Sequence, residues 1–367
     1  MIYIWINQEV LNHHVGIKRT LFNLKILAEL NDIPCEFLLL EAEKLKKGMV
    51  YKLSLNPDYI ISNGFKKNEN EFKNGEHILK SLISLDNVYC ATNIIGAPWL
   101  ANSFFSAEVL TQFKPIIFLP DLIPIKYAVN SFIPYGEFSD SHVRTINFCL
   151  EDKARLMVCS SDVLDDLLEL RPQKIKMRNV IVIHPGVYVQ HLLNFDISKK
   201  SINRFNLLAI NILDERKGLD QAKEMLENFS EPEGFTLIGA QRCSESKFLH
   251  FKKSLKKYKF KWIEKATSEE LVAELVSANL LLFPSIEEGY GIPALEANFF
   301  GLTVLSHKEL PVWRDLYFKI EIDALDKDPI YSAVQKISPV SPGELSDFRV
   351  NLLRDLPKWL NSLLAKH

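Results

Sequence analysis

No stretch of the 367-residue chain approaches the ~20 consecutive apolar residues that a membrane-spanning helix requires. The opening run Met1-Ile-Tyr-Ile-Trp-Ile-Asn7 is too short, and lacks the charged flanks, to read as a signal peptide. Charge of one sign is also missing. With 44 Lys+Arg against 46 Asp+Glu the formal net charge is -2, which gives no global reason to expect a nucleic-acid partner. Cysteine is sparse: Cys35, Cys90, Cys149, Cys159 and Cys243 are odd in number, widely spaced and mostly set in apolar runs. They show no metal-ligand spacing, so the expected state is buried, reduced thiols in a cytoplasmic protein. No Gly-x-Gly-x-x-Gly follows the first apolar run, which removes the main sequence argument for a nicotinamide dehydrogenase. Internal repeats and low-complexity tracts are absent as well.

What remains is the composition of an ordinary globular protein, 47% hydrophobic and 25% charged. Its length is large for one core and natural for two domains. Short apolar runs alternate with helical patterns. Strands are expected at 2–6, 35–40, 58–62, 88–92, 115–119, 155–160 and 180–184, with a helix from Gly16 to Leu30 and a surface loop over 64–75. Pro185-Gly186 closes this series, and the polar stretch 188–203 reads as a linker. A second series follows at 205–210, 235–239, 261–263, 278–283 and 303–306. The tail from Glu344 onward reads as helical, with a break at Pro357. This alternation predicts an α/β architecture with largely parallel sheets. The expected domains are 1–187 and 204–351.

The most informative stretch runs from Leu280 to Leu305. Leu280-Leu-Leu-Phe283 reads as a buried strand, Pro284 and Gly289-Tyr-Gly291 break it, and Pro293 suits the first residue of a helix. Gly301 ends that helix, and Thr303 opens the next strand. In such a unit ligands bind beyond the carboxyl ends of the strands, where the loop 284–292 lies. Gly289 and Gly291 allow backbone N–H groups close to an anion, helped by the positive end of the helix. Glu288 and Glu296 flank this point as acceptors for sugar hydroxyls. The plainer alternative for Glu296 is an acidic residue complementing the dipole in a first helical turn.

Arg216 and Lys217 stand where the 205–210 strand gives way to a helix. Cations are unfavourable at a helix N-terminus unless an anion lies between. Two solvated surface cations in a turn is the competing reading. A third feature is the segment Phe248–Trp262, with six lysines interleaved with aromatics. Lys174, Lys176 and Arg178 add to it. Such a run reads either as a solvated face or as a contact with anionic membrane.

Phe283-Pro-Ser-Ile-Glu-Glu-Gly-Tyr-Gly-Ile-Pro-Ala-Leu-Glu-Ala297, followed by Gly301-Leu-Thr-Val304, resembles the signature of family 4 retaining glycosyltransferases, with Thr303 where that family usually has Pro. Asp214-Glu-Arg-Lys-Gly-Leu-Asp220, Val158-Cys-Ser-Ser-Asp162 and Ile183-His-Pro-Gly-Val187 extend the resemblance over most of the chain. His14-Val-Gly-Ile-Lys-Arg19 is similar to the family's Gly-Gly-Ile-x-Arg loop with one glycine replaced. Leu119-Pro-Asp-Leu-Ile-Pro124 is similar to its His-Asp-Leu-Ile-Pro element with Pro120 in the histidine position.

The resemblance implies a GT-B fold: two Rossmann-like doubly wound domains facing a central cleft, with the last helix (352–367) returning to the N-terminal domain through Trp359. It implies a retaining, metal-independent transfer from a nucleotide diphosphate sugar to a glycan or lipid-linked acceptor, with no cofactor. Arg216, Lys217, Glu288 and Asp121 would be catalytic. Gly16, Gly289, Tyr290, Gly291, Ile292 and Glu296 would bind the donor. Such enzymes often build bacterial surface polysaccharide or lipopolysaccharide from the cytoplasm, at the inner face of the plasma membrane. The competing class is a silent partner subunit of the same fold that binds nucleotide or glycan without turnover. Asp121 also suits a plain turn, and His13 and His14 stand out from the other histidines only by lying in the glycine-containing loop.

Overall fold

A computed structural model describes residues 1–7, 10, 15–45, 48–55, 70–72, 91–104, 107–127, 136–170, 175–186, 205–230, 233–306, 309–322, 326–337 and 340–352. The chain divides into two compact units, Met1–Gly186 (with which Asp355–His367 is grouped) and Val187–Arg354. The expected strand at 58–62, the linker 188–203, His13, His14, Lys174 and all but the first residue of the 352–367 helix lie outside the described residues.

In the first unit the strands are β1 (Ile2–Asn7), β2 (Cys35–Leu45), β3 (Gly48–Leu55), β4 (Asn70–Phe72), β5 (Thr92–Ile95), β6 (Ile116–Leu119), β7 (Arg155–Val158) and β8 (Val180–Val182). They form one sheet in the order β4-β3-β2-β1-β5-β6-β7-β8. From β2 through β8 every pairing is parallel. β3 and β4 add antiparallel to the edge. Apolar runs such as Ile116–Leu119 form strands because both faces are covered, and all four of their residues are buried. The Val15–Leu30 helix lies on this sheet through Ile17, Leu21 and Leu24, spaced by the helical period. Trp5 is fully buried and satisfies its indole N–H on Asn93 Oδ1 at 3.0 Å. The reduced-thiol expectation fits Cys35 and Cys149, where burial pushes both thiols up to about 12.

Expectations change at three points here, the first being the strand expected at 88–92, which is found at Thr92–Ile95, with 88–90 outside the described residues. The segment 64–75 is not wholly loop, since Asn70–Phe72 pairs with β3. Strand β3 went unforeseen because Gly48–Leu55, interrupted by Lys52 and Ser54, forms no continuous apolar run.

In the second unit the strands are β9 (Asn206–Ile210), β10 (Gly234–Ile238), β11 (Lys259–Ile263), β12 (Leu280–Leu282), β13 (Thr303–Ser306) and β14 (Lys319–Glu321). All pair in parallel, in the order β11-β10-β9-β12-β13-β14. Numbered from the first strand of this unit the order is 3-2-1-4-5-6, that of a dinucleotide-binding fold. The core gathers Leu207, Ala209, Phe235, Leu237, Leu280, Leu282 and Leu305, each fully buried. A buried Leu or Phe side chain contributes about 1.5–3 kcal/mol, so these strand interiors carry much of the unit's stability.

The helix Ile292–Phe299 is held at both ends. Gly291 precedes it with φ 108°, and a Cβ there would approach Val312 Cγ1 to 2.7 Å. At the far end Asn298, fully buried, makes four hydrogen bonds. Its Nδ2 donates to Leu302 O and Phe318 O, and its Oδ1 accepts from Tyr317 N and Phe318 N. Arg349 then donates two bonds to Phe299 O from the helical stretch 342–352.

Asn298→Ala removes four bonds and strands buried carbonyl and N–H groups, each costing about 1–3 kcal/mol. Urea titration should show the second unit destabilised by at least about 3 kcal/mol. A change within 0.5 kcal/mol, on the order of an ordinary surface substitution, would refute this role.

Candidate active site

The strand order of the second unit reverses between β9 and β12. Chain leaves β9 toward β10 on one side and returns through β12 on the other, so the loops after these two strands border the crevice where such sheets bind ligands. The parallel register pairs Leu280 with Leu207 and Leu282 with Ala209. The loops carrying Arg216-Lys217 and Ser285–Gly291 therefore emerge side by side, from residues 71 positions apart in sequence.

After β9 the chain makes a short 3-10 turn, Glu215–Lys217, before the Leu219–Asn228 helix. Arg216 and Lys217 thus precede the helix instead of occupying its first turn. Asp214 starts the turn, with Oδ1 accepting from Arg216 N at 3.0 Å. Gly218 closes it at φ 80°, where a Cβ would lie 1.9 Å from Pro284 O. Only glycine allows the two loops to come this close. Ile286 N donates to Arg216 O at 2.9 Å, and Arg216 Nη1 to Glu287 O at 2.9 Å.

Lys217 Nζ forms an ion pair with Glu288 Oε2 at 2.5 Å. The side chains are 18% and 8% exposed, so the pair is largely enclosed, contrary to the expectation of two solvated surface cations. Ser285, itself buried, donates its hydroxyl to the other oxygen, Glu288 Oε1, at 2.7 Å. Burial works against charge on both partners. For Glu288 the charges of Lys217 and Arg216, with hydrogen bonds from Lys217 and Ser285, outweigh burial and hold the carboxyl below its ordinary range. For Lys217 burial dominates, with the like charge of Arg216 added, and draws the amine below its ordinary value despite Glu288.

The remaining expected site residues are placed as follows. Glu296 is the fifth residue of the Ile292–Phe299 helix, hence in its second turn, and is buried. That removes the helix-dipole alternative, since no acidic residue occupies the first turn. Pro293 is the second helical residue and not the first. Gly291 and Ile292 present N–H groups that, by position, have no acceptor within the helix. Tyr290 is buried, and its hydroxyl donates to Asp315 Oδ2 at 2.7 Å while its carbonyl accepts from Val312 N. Its side chain thereby anchors the loop to Asp315, while the part expected of this residue in donor binding was its backbone amide.

Gly16 lies exposed in the first turn of the Val15–Leu30 helix, after β1, and the first sheet reverses its order between β1 and β5. Asp121 follows β6, one strand further out, and accepts from Ile123 N at 3.0 Å, as a turn-forming aspartate does. His142 is buried, and His184 Nδ1 accepts from Gly186 N, as expected of ordinary histidines. Ser285, Asp214 and Gly218 were not singled out from sequence. Gly218 carried a signal, a glycine directly after a turn; Ser285 carried none beyond its place beside Pro284.

Comparison with known proteins bears on the whole arrangement. Residues 194–316 match the family model of glycosyl transferases group 1. This span holds both loops. No curated protein sequence matches the chain. Among solved structures, WaaG, a glycosyltransferase involved in lipopolysaccharide biosynthesis, is 15% identical with TM-score 0.55, covering 97% of this chain and 95% of its own. Anabaena Alr3699/HepE, solved with UDP and glucose, is 11% identical with TM-score 0.63, covering 100% and 99%. The catalytic domain of starch synthase IV from Arabidopsis thaliana, bound to ADP and acarbose, is 12% identical with TM-score 0.57, covering 100% and 94%. The chain has the GT-B fold of glycosyltransferases, and the resemblance noted in sequence holds at the level of group 1.

Glu288 has a depressed pKa, so its stabilising contribution is present above the ordinary value of 4.5 and is lost as pH falls through the lower folded value. Glu288→Gln leaves Lys217 enclosed without a counter-charge and should cost about 3 kcal/mol at pH 7. Melting curves should show the gap to wild type narrowing as pH is lowered from neutral to well below 4.5. A gap that stays constant over that range would mean the pair is not ionic.

Proposed function

We propose that this protein is a retaining glycosyltransferase that moves a sugar from a nucleotide diphosphate donor to an acceptor hydroxyl. The observation that carries the reading is the meeting of Arg216, Lys217 and Glu288 at the point where the second sheet reverses its strand order. Departure of a nucleoside diphosphate develops negative charge, and fixed cations in a water-poor loop stabilise that charge strongly. Arg216 supplies a planar fork and Lys217 a point charge. The cationic pair takes the part a divalent ion plays elsewhere, and no cofactor is required.

The N–H groups of Gly291 and Ile292, at the positive end of the Ile292–Phe299 helix, add further donors to the diphosphate. Glu296 takes the ribose hydroxyls and Glu288 the donor sugar. Gly16 and Asp121, both carried by the first unit, are assigned by resemblance to donor binding and to catalysis. The acceptor is a glycan or a lipid-linked glycan of bacterial surface polysaccharide or lipopolysaccharide, modified from the cytoplasmic side. The presence of WaaG and the lipopolysaccharide galactosyltransferase WaaB among similar folds supports that class of pathway.

Panels of UDP-, GDP-, ADP- and dTDP-sugars, read by release of nucleoside diphosphate, test the reading. Lys217→Ala and Arg216→Ala should each lower kcat by about two orders of magnitude or more. Turnover equal to wild type in both variants would remove them from the chemistry. Nucleotide binding without turnover in wild type, with any acceptor supplied, would instead favour the silent partner subunit.

Among the described residues no helix is long and apolar enough to cross a membrane, and in this reading a lipid-linked acceptor is met by peripheral contact. The lysine run supplies candidates, but not all six lysines are free for this. Lys257 donates to Glu227 O and Phe229 O at the end of the Leu219–Asn228 helix, and Lys261 pairs with Glu274. Lys176 likewise pairs with Asp152. Lys252 lies over the Phe248 ring, 5.0 Å from its centroid. Lys253 and Lys256 are exposed, and Leu249 beside them is 51% exposed. Each cation near an anionic surface is worth about 1 kcal/mol. Lys253→Glu with Lys256→Glu should therefore abolish low-salt sedimentation with anionic vesicles, without altering folding. Equal partition of wild type to neutral and anionic vesicles would make this an ordinary solvated face.

A further inference from the structure

Ser285 lies directly after β12 and Pro284, is 1% exposed, and spends its hydroxyl on Glu288 Oε1. The two oxygens of Glu288 are thus divided between two donors from two loops, Ser285 on one and Lys217 on the other. The charged groups facing this carboxylate are Lys217 and Arg216, and Asp214 adds its charge on the Lys217 side. One of the two donors, Lys217, is the group assigned above to the diphosphate. Lys217 is held against a carboxylate, which presents to it an anionic oxygen of the kind a phosphate would offer.

When a diphosphate takes Lys217, Glu288 loses that partner while remaining in a site where its side chain is only 8% exposed. A buried carboxylate with no donor is costly, and one that keeps a hydroxyl donor is much less so. We infer that Ser285 is a positioning residue: it holds Glu288 in place while Lys217 transfers from that carboxylate to the donor diphosphate, and so makes the exchange affordable. This inference rests on the functional reading given above and concerns the same site. Ser285 touches no substrate in this scheme and acts only through Glu288. A serine that merely shaped the loop would affect folding alone, and its loss would not depend on which residue stands at 288.

The test is a double-mutant cycle read by isothermal titration. UDP, GDP, ADP and dTDP are titrated into wild type, and the one bound most tightly is carried through Ser285→Ala, Ser285→Thr, Glu288→Gln and the Ser285→Ala/Glu288→Gln pair. Removal of a hydrogen bond to a charged group predicts that Ser285→Ala raises Kd by about tenfold or more. Ser285→Thr, which keeps the hydroxyl, should restore Kd to within about threefold of wild type, a small fraction of that loss. In the Glu288→Gln background, adding Ser285→Ala should change Kd by less than about threefold, because the carboxylate it served is gone. Ser285→Cys, close in size but a weak donor, repeats the measurement should the alanine variant unfold. An equal loss of affinity in both backgrounds, or no loss in either, overturns the inference while leaving the functional reading intact. Failure of wild type to bind any of the four nucleotides overturns the functional reading and this inference with it.

Discussion

Everything proposed for this protein depends on two loops being unable to separate. β9 and β12 are hydrogen-bonded neighbours, so the segments leaving their carboxyl ends start one strand spacing apart, about 4.8 Å. Gly218 lets the backbones approach to a distance that any side chain would prevent. The Lys217–Glu288 ion pair, the Arg216–Glu287 contact and the Ile286–Arg216 backbone bond then tie the loops together. An enclosed ion pair is weak evidence of stability, because removing two charges from water offsets most of the attraction. This pair lies beside a second cation and at the reversal of the sheet, the position on which the proposed function rests.

The scaffold behind this pair is stiff for reasons that have little to do with charge. The Ile292–Phe299 helix is fixed by Gly291 against Val312 at its start, and by Asn298 and Arg349 at its end. Tyr290 ties the same loop to Asp315. A site that discriminates by hydrogen bonding needs its donors held to within a fraction of an ångström, and buried, fully bonded groups supply that constraint. Asn298 has no contact with the ion pair, yet it fixes the helix that carries Glu296.

The surface lysines show how poorly a charge run is read by counting. Two of the six in 248–262 are engaged inside the second unit, one holding the end of a neighbouring helix and one paired with Glu274. Long lysine side chains bury their stems and choose partners that only neighbouring elements provide. The number left for an external anion is therefore smaller than the sequence count suggests.

Much of the fold was legible because buried parallel strands are written as short apolar runs. Ile116–Leu119, Asn206–Ile210, Leu280–Leu282 and Thr303–Ser306 fall where the pattern placed them, to within one or two residues. Gly291 and Gly301 announced the ends of a helix, and both take positive φ. β3, β4 and β14 were illegible: β4 and β14 are edge strands of only three residues, and Gly48–Leu55 is interrupted by Lys52 and Ser54 instead of forming a continuous apolar run. The candidate site divides along the same line. Arg216, Lys217, Glu288 and Glu296 stood out by residue type and by resemblance. That Glu296 sits in a second helical turn, that Tyr290 turns inward to Asp315, and that Ser285 and Lys217 share one carboxylate were decided only by tertiary structure. The physical reason is sequence separation: local pattern fixes what each loop contains, but the partner of Lys217 lies 71 residues away and is brought to it by the pairing of β9 with β12.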